Sequence, residues 1–509
     1  MKPHRSTSAF SDLADLALDR TRSRPAASSP PKSSDSLPEQ IARRIRQRIE
    51  KGVWSKGERL PSSRELSELL GVNRATVLES YRILQTSGWI ESGVGRGSFV
   101  AGASAIPRAQ PSLWPATARD SSLRSGAPAA LPATSVRLSK AVAHSTLLPV
   151  DEIRKAFDEA FEELGGALLE YPPPAGHEPL RKELMQRLQG RGIDSKKSEI
   201  LIVNGSQQGI DLVARFLLGN DGGVVCERPT YSGAIDVFRA YRRRLFAVPI
   251  DQDGMLTDEL EKVVRRHRLR LIYTIPDHHN PAGVRMSEAR RRHLLAIARE
   301  HQIAVLEDDW LSELRDRNSL PALKTLDDTG HVLHLGTFSK VLSPGLRLGW
   351  LIVPKEAFEG LVTLKCNSDL ASNLPSQIVV ARLLRNQFFD RHMERVRAEY
   401  ARLRQLADEC IDAWFPQQAR PLRPHHGMVL WIPLPADVDV ERLIESASLK
   451  GVEITGGAQF DPLRQALPGF RISYASAAEG ELRSALRVLG ELLHSTLRHP
   501  PRSSSPAMV

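Results

Sequence analysis

Cysteine is scarce in this chain: 509 residues contain only Cys226, Cys366 and Cys410, far apart from one another. That excludes a disulfide framework and a cysteine-based metal site, and it suits a reducing compartment. Aromatic residues are few, at 6%. No apolar run approaches the roughly 18 residues that a membrane span requires. The opening residues, MKPHRSTSAF, lack the apolar core of a secretory signal. Asp12, Asp15 and Asp19 argue against a transit peptide. A cytoplasmic protein without membrane contact is therefore expected.

The ordinary remainder is informative. With 41% hydrophobic and 26% charged residues, the chain reads as globular, with room for two to four domains. A formal charge of +10 permits contact with nucleic acid without requiring it. Residues 1–36 are rich in Ser, Pro and Arg and are expected to be a disordered extension, with a short ordered piece around Phe10–Leu18. Residues 37–101 have the pattern of a compact domain. Residues 102–135 read as a Pro- and Ala-rich linker; about 35 residues of flexible coil reach roughly 30 Å. From 136 to 495, short β-rich runs alternate with helical patterns, the mark of an α/β sheet. Residues 496–509 are expected to be a disordered tail.

In the first compact segment, Ile41, Ile45 and Ile49 recur every four residues along one helical face. Ser62 and Glu65 have the spacing of a capping box, opening a helix that carries Leu66, Leu69 and Leu70. Gly71-Val72-Asn73 is a tight turn, and Asn73 can cap a third helix with Val77, Tyr81 and Leu84 on its apolar side. Glu91 to Val100 reads as a glycine-rich hairpin. Helix, short turn, helix and hairpin make a winged helix-turn-helix. Residues 37–100 hold 11 basic and 7 acidic side chains, a net charge of +4. The alternative is a helical surface with solvated arginines.

The stretch LPSSRELSELLGVNRATVLESYRILQTSGWIES (60–92) resembles the winged helix of GntR-type transcription regulators. The resemblance implies that Arg64, Arg74 and Thr76, with Arg96 and Gly97 of the wing, approach double-stranded DNA. The start of the third helix is where such folds reach base edges or phosphates.

Five segments of the second part fit one cofactor site. Ile200 to Val203 reads as a strand leading through Gly205 and Ser206 into a helix, a turn able to hold phosphate. Tyr231 follows a strand and a proline; it can stack on a flat ring or simply fill the core. Asn280 precedes Pro281, which keeps it extended or in a turn. The neighbouring His278 and His279 invite a metal reading, but adjacent strand residues point to opposite faces, so no metal is expected. Asp308 and Asp309 end a strand where α/β folds bind ligands, or merely cap it. Lys340 sits among Thr337, Ser339 and Arg347; such a lysine can form a Schiff base with an aldehyde cofactor. Arg471 can fork a carboxylate or serve as an ordinary strand arginine.

Together these segments resemble the fold-type-I aminotransferases, which use pyridoxal 5'-phosphate. The strongest pieces are NPAG (280–283), the acid pair and SKVLSPGLRLGW (339–350). The resemblance implies Lys340 as the Schiff-base lysine, Asp308 as the partner of the pyridine nitrogen, Asn280 as donor to the ring oxygen and Tyr231 as the ring stacker. It makes Ser206, Gln207, Ser339 and Arg347 phosphate ligands and Arg471 the carboxylate binder. By the same resemblance, Tyr171 looks like the residue that such dimers extend to their partner. Trp310 departs from the pattern, standing where a tyrosine is usual; its indole can donate a hydrogen bond but cannot act as a phenol.

The order of the two parts resembles the MocR/GabR (PdxR-like) regulators. The resemblance implies a homodimeric, DNA-binding regulator that senses an amine, an amino acid or the cofactor itself. A working aminotransferase carrying a DNA-binding domain is the alternative, so catalytic turnover stays open.

Overall fold

A computed structural model describes residues 36–498, except 51–52, 56, 94–96, 102–134, 220–221, 316–318, 422–426 and 466. The expected extension, the ordered piece near Phe10, the linker and Arg96 therefore fall outside the described residues, apart from Ser36 and Ser135. The chain divides into two compact units, residues 1–119 and 120–509.

The first unit holds helices α1 (Leu37–Glu50), α2 (Ser63–Leu70) and α3 (Arg74–Thr86), followed by strands β1 (Ile90–Gly93) and β2 (Gly97–Val100). The capping box forms. Glu65 N donates to Ser62 Oγ at 3.2 Å, and Ser62 N donates to Glu65 Oε2 at 2.7 Å. Gly71 ends α2 in the left-handed region, at φ 61°, where a side chain would be strained. Asn73 Oδ1 accepts from Ala75 N at 2.9 Å and starts α3. Ile41, Ile45, Leu66, Val77 and Leu84 are buried together, each such side chain contributing about 1.5–3 kcal/mol. Leu69 turns out to the surface. The wing is antiparallel, with Gly93 opposite Gly97.

The second unit is built on a mostly parallel eight-stranded sheet: β3 (Ser198–Val203), β4 (Gly223–Arg228), β5 (Leu245–Asp251), β6 (Gly254–Met255), β7 (Leu269–Thr274), β8 (Ala304–Asp308), β9 (Val332–Thr337) and β10 (Gly349–Pro354). Their spatial order is β3-β10-β9-β8-β7-β4-β5-β6. Strand β10 runs antiparallel to both β3 and β9. Strands β7, β8 and β9 are almost wholly buried, as their continuous apolar runs require of a sheet covered on both faces. Helices α4 (Ser206–Leu217) and α5 (Ser232–Ala240) follow β3 and β4. A smaller part contains an antiparallel sheet of β11 (Val429–Pro433), β12 (Thr455–Gly456) and β13 (Gly469–Ser473), with α6 (Glu479–Arg498) after it. Helix α6 runs three residues past the boundary expected at 495, and Leu497 in that extra stretch still packs against the core. Among the described residues, no helix is long and apolar enough to cross a membrane.

Candidate cofactor site and DNA-reading unit

The parallel strands deliver their chemistry at their carboxyl ends. Asp308 is the last residue of β8 and lies opposite Leu335 of β9. The two acids part company, as alternation dictates. Asp309 turns to Arg315, whose Nε donates to Asp309 Oδ2 at 2.8 Å. Asp308 accepts from the Tyr273 hydroxyl at 2.6 Å through Oδ2. Its other oxygen, Oδ1, is buried with no hydrogen-bond partner among the described residues. Burial, followed by the charge of Asp309, pushes the Asp308 carboxyl up to about 7, against the Tyr273 hydrogen bond and the charge of Lys340.

Lys340 lies in the turn between β9 and β10. Its carbonyl accepts from Tyr400 Oη at 2.9 Å, which pins the turn. Burial, then the positive charges of Arg471 and Arg347, lowers the lysine to about 8, opposed by Asp308. Its Nζ stands 5.9 Å from the centroid of the Trp310 ring. Trp310 Nε1 donates to His278 O at 2.9 Å, so the indole N–H has a backbone partner.

Helix α4 opens at Ser206, and no side chain caps its start. Its first N–H groups therefore face outward. Arg347 reaches over this end, with Nη2 donating to Asn204 O at 3.1 Å. Gly205 has φ 79°, and a Cβ on it would stand 2.9 Å from Arg347 Nη2. Ser339 N donates to Thr337 Oγ1 at 3.1 Å. Helix start, hydroxyls and guanidinium make an anion cradle. Gln207 spends its side chain locally: it donates to Gly233 O at 2.8 Å and accepts from Tyr231 Oη at 3.2 Å. What it offers an anion is its backbone N–H.

Arg471, in the middle of β13, is buried. Nη1 donates to Asn280 Oδ1 at 2.9 Å, and Nη2 donates to the Ser139 carbonyl. The first contact orients the amide so that Asn280 Nδ2 is left as a donor. Burial lowers Arg471 to about 10, opposed by Tyr231, so it remains cationic at neutral pH. Tyr231, at the head of α5, is held high by burial, then by the charge of Asp308, against those of Arg471 and Arg347. These interactions gather Tyr231, Asp308, Lys340, Arg347 and Arg471 in one place. Tyr171 has no part in this network; it stands 83% exposed.

The histidines are not in a strand. They follow β7 in a turn, where His278 has φ 52° and His279 Nε2 faces Glu227 Oε2 at 3.4 Å. Among the described residues, no group of three or more His, Cys, Asp or Glu is placed to hold a metal.

Tyr273 and Ser139 were not anticipated from the sequence. A tyrosine inside an apolar strand needs a hydroxyl partner, and that signal was available for Tyr273. The Ser139 carbonyl carries no sequence signal at all.

In the first unit, Arg64 and Arg74 are exposed at neighbouring helix starts. Arg74 Nε donates to Ser63 Oγ at 3.2 Å, and Arg64 lies 3.3 Å from Glu68. Thr76 is in the first turn of α3. Gly97 has φ 97° where the second strand leaves the wing's turn, and a Cβ there would stand 2.9 Å from Arg59 Nε, a further basic residue that sequence reading missed.

A model of class I and II aminotransferases matches residues 141–489, and one of gntR-family bacterial regulatory proteins matches residues 37–100. The uncharacterized HTH-type transcriptional regulator YisV of Bacillus subtilis is 29% identical over 470 residues, covering 90% of this chain and 96% of its own. A 2-aminoadipate transaminase of Thermus thermophilus is 35% identical over 355 residues, covering 69% and 88%. The solved structure of LysN, the α-aminoadipate aminotransferase of Thermus thermophilus complexed with N-(5'-phosphopyridoxyl)-L-leucine, superposes with a TM-score of 0.68 at 32% identity, covering 72% of this chain and 94% of that one. The chain therefore belongs to the class I and II aminotransferases and joins to that domain a gntR-family helix-turn-helix, the MocR-type architecture.

Proposed function

We propose that the protein is a pyridoxal-phosphate-dependent transcription regulator that senses an amino compound in its aminotransferase-like unit and reads promoter DNA with its winged helix. One observation carries this reading: a DNA-reading unit and a set of lysine, acid, asparagine and arginine around one anion cradle occur in the same chain.

The site fits the cofactor. The unpartnered Asp308 Oδ1 suits a pyridine N–H, and the cradle at Ser206, Ser339 and Arg347 suits a phosphate. When bound, the cofactor supplies an aldehyde for Lys340 and a ring that withdraws electrons. Asp308, oriented by Tyr273, would hold the proton on the ring nitrogen. Asn280 Nδ2 would hold the ring oxygen, and Tyr231 would supply a face for the ring. Arg471 takes the effector's carboxylate with N–H groups left over from Asn280 and Ser139. Arg64, Arg74, Thr76 and Gly97, with Arg96 outside the described residues, contact the DNA. The exposed Tyr171 is free to reach a partner subunit in a homodimer. A ligand switches transcription only if it binds two conformations of the protein unequally.

The test measures affinity for the upstream DNA with and without a panel of amino acids and amines. A change in affinity upon one of them, abolished in Lys340→Ala, is expected. Equal affinity throughout would refute sensing. The 35% identity to a transaminase favours a second reading, an aminotransferase that also binds DNA. Sustained turnover between an amino acid and a keto acid would establish it. DNA affinity that follows pyridoxal phosphate alone would instead mark the cofactor as the signal.

A further inference from the structure

Trp310 is the residue of the cluster that the proposed function leaves unused. It is buried, at 5% exposure, and its only polar atom is spent on the His278 carbonyl. What it turns to the site is a π face, with Lys340 Nζ 5.9 Å from the centroid. A cation over an indole face is attracted by the ring quadrupole, and more strongly where water is excluded. The charged groups that act on Lys340 are Arg471 from β13, Asp308 from β8 and Arg347 from its own hairpin. Tyr231, at the head of α5, interacts with Asp308, Arg471 and Arg347. Two cations against one carboxylate disfavour positive charge at the lysine nitrogen. The indole is the uncharged group that favours it.

We propose that Trp310 is a positioning residue that holds the nitrogen of Lys340, once joined to the cofactor, in its protonated, amine-receptive form. The proposal rests on the cofactor reading above. The neutral Lys340 amine would add to the aldehyde carbon, and with one proton taken from solvent and one water lost, a C=N bond that carries a proton would remain. An incoming primary amine adds to that carbon, a proton passes from its nitrogen to the lysine nitrogen, and Lys340 leaves as a neutral amine. Nothing is oxidised or reduced. The protonated C=N bond is the better electrophile, so the indole face sets the upper pH limit of effector exchange.

The experiment is a visible-absorbance titration against pH of the full-length protein loaded with pyridoxal phosphate. Trp310→Leu is expected to lower the midpoint by about half to one and a half pH units, the size of a cation–π contact. Trp310→Phe, which keeps a weaker face, should fall between. A leucine variant that titrates at the wild-type midpoint overturns the proposal. Fluorinated tryptophans provide a second measurement that leaves the shape of the site intact. The midpoint should fall with each added fluorine in the wild type and stay constant in Trp310→Phe; an unchanged wild-type midpoint overturns the proposal. A wild-type protein that stays colourless overturns the cofactor reading as well, whereas colour with a fixed midpoint overturns only the role of Trp310.

Discussion

At the scale of residues, Lys340 and Asp308 have drawn together in proton affinity, to about 8 and about 7. An ordinary lysine is almost wholly protonated at pH 8, whereas about half of the Lys340 side chains are then neutral nucleophiles. The rate at which the protein captures pyridoxal phosphate should therefore rise with pH to about 8 and then level off. Stopped-flow absorbance checks this, and a rate still climbing at pH 10 would contradict it. The stability signs follow. Lys340 is depressed in the fold, so the native state sheds its proton first and stability rises with pH between about 8 and 10.5. Asp308 is raised, so its contribution falls as pH rises from about 4 to 7. Arg471→Gln removes the buried charge proposed to hold the effector's carboxylate. Effector affinity should drop at least tenfold, from the roughly 1.5–3 kcal/mol of a charged hydrogen bond, while cofactor colour persists. Loss of the colour as well would give Arg471 a structural role instead.

At the scale of elements, much was legible. Ser62, Glu65 and Asn73 announce their helix starts because a cap needs only local chemistry. Ser62→Ala should cost about 1 kcal/mol and lower the melting temperature of the first unit, visible by circular dichroism, with the second unit unchanged. The strand that ends at Asp308 and the strand that leads to Lys340 were readable because burial on both faces leaves continuous apolar runs. What stayed hidden were choices made by tertiary contact. Gln207 looked like a ligand by position, yet its amide locks Tyr231. The Asp308–Tyr273 bond joins residues 35 apart across neighbouring strands, a distance no local pattern spans. Leu69 fits the apolar pattern of its helix and still lies at the surface. Gly205→Ala should weaken cofactor affinity, since φ 79° and a Cβ 2.9 Å from Arg347 would displace the cradle. Equilibrium dialysis against pyridoxal phosphate checks it, and unchanged affinity would place the phosphate elsewhere.

At the scale of the whole molecule, two units with separate cores share one chain. The first unit has a hydrophobic cluster of its own, so residues 36–101 expressed alone should bind the promoter and ignore the effector. Fluorescence anisotropy checks this; a response of the fragment to amino acids would relocate the sensor. Binding by either form should weaken with salt, as phosphate contacts demand.

The reversal of β10 against β9 has a mechanical corollary. Lys340, Ser339 and Arg347 ride on a single hairpin whose tip is bolted down by Tyr400. The two grips proposed for the cofactor, one at its aldehyde and one at its phosphate, would thus be welded to the same lever. A shift of Phe388–Trp414, the helix that bears Tyr400, would then be felt at both.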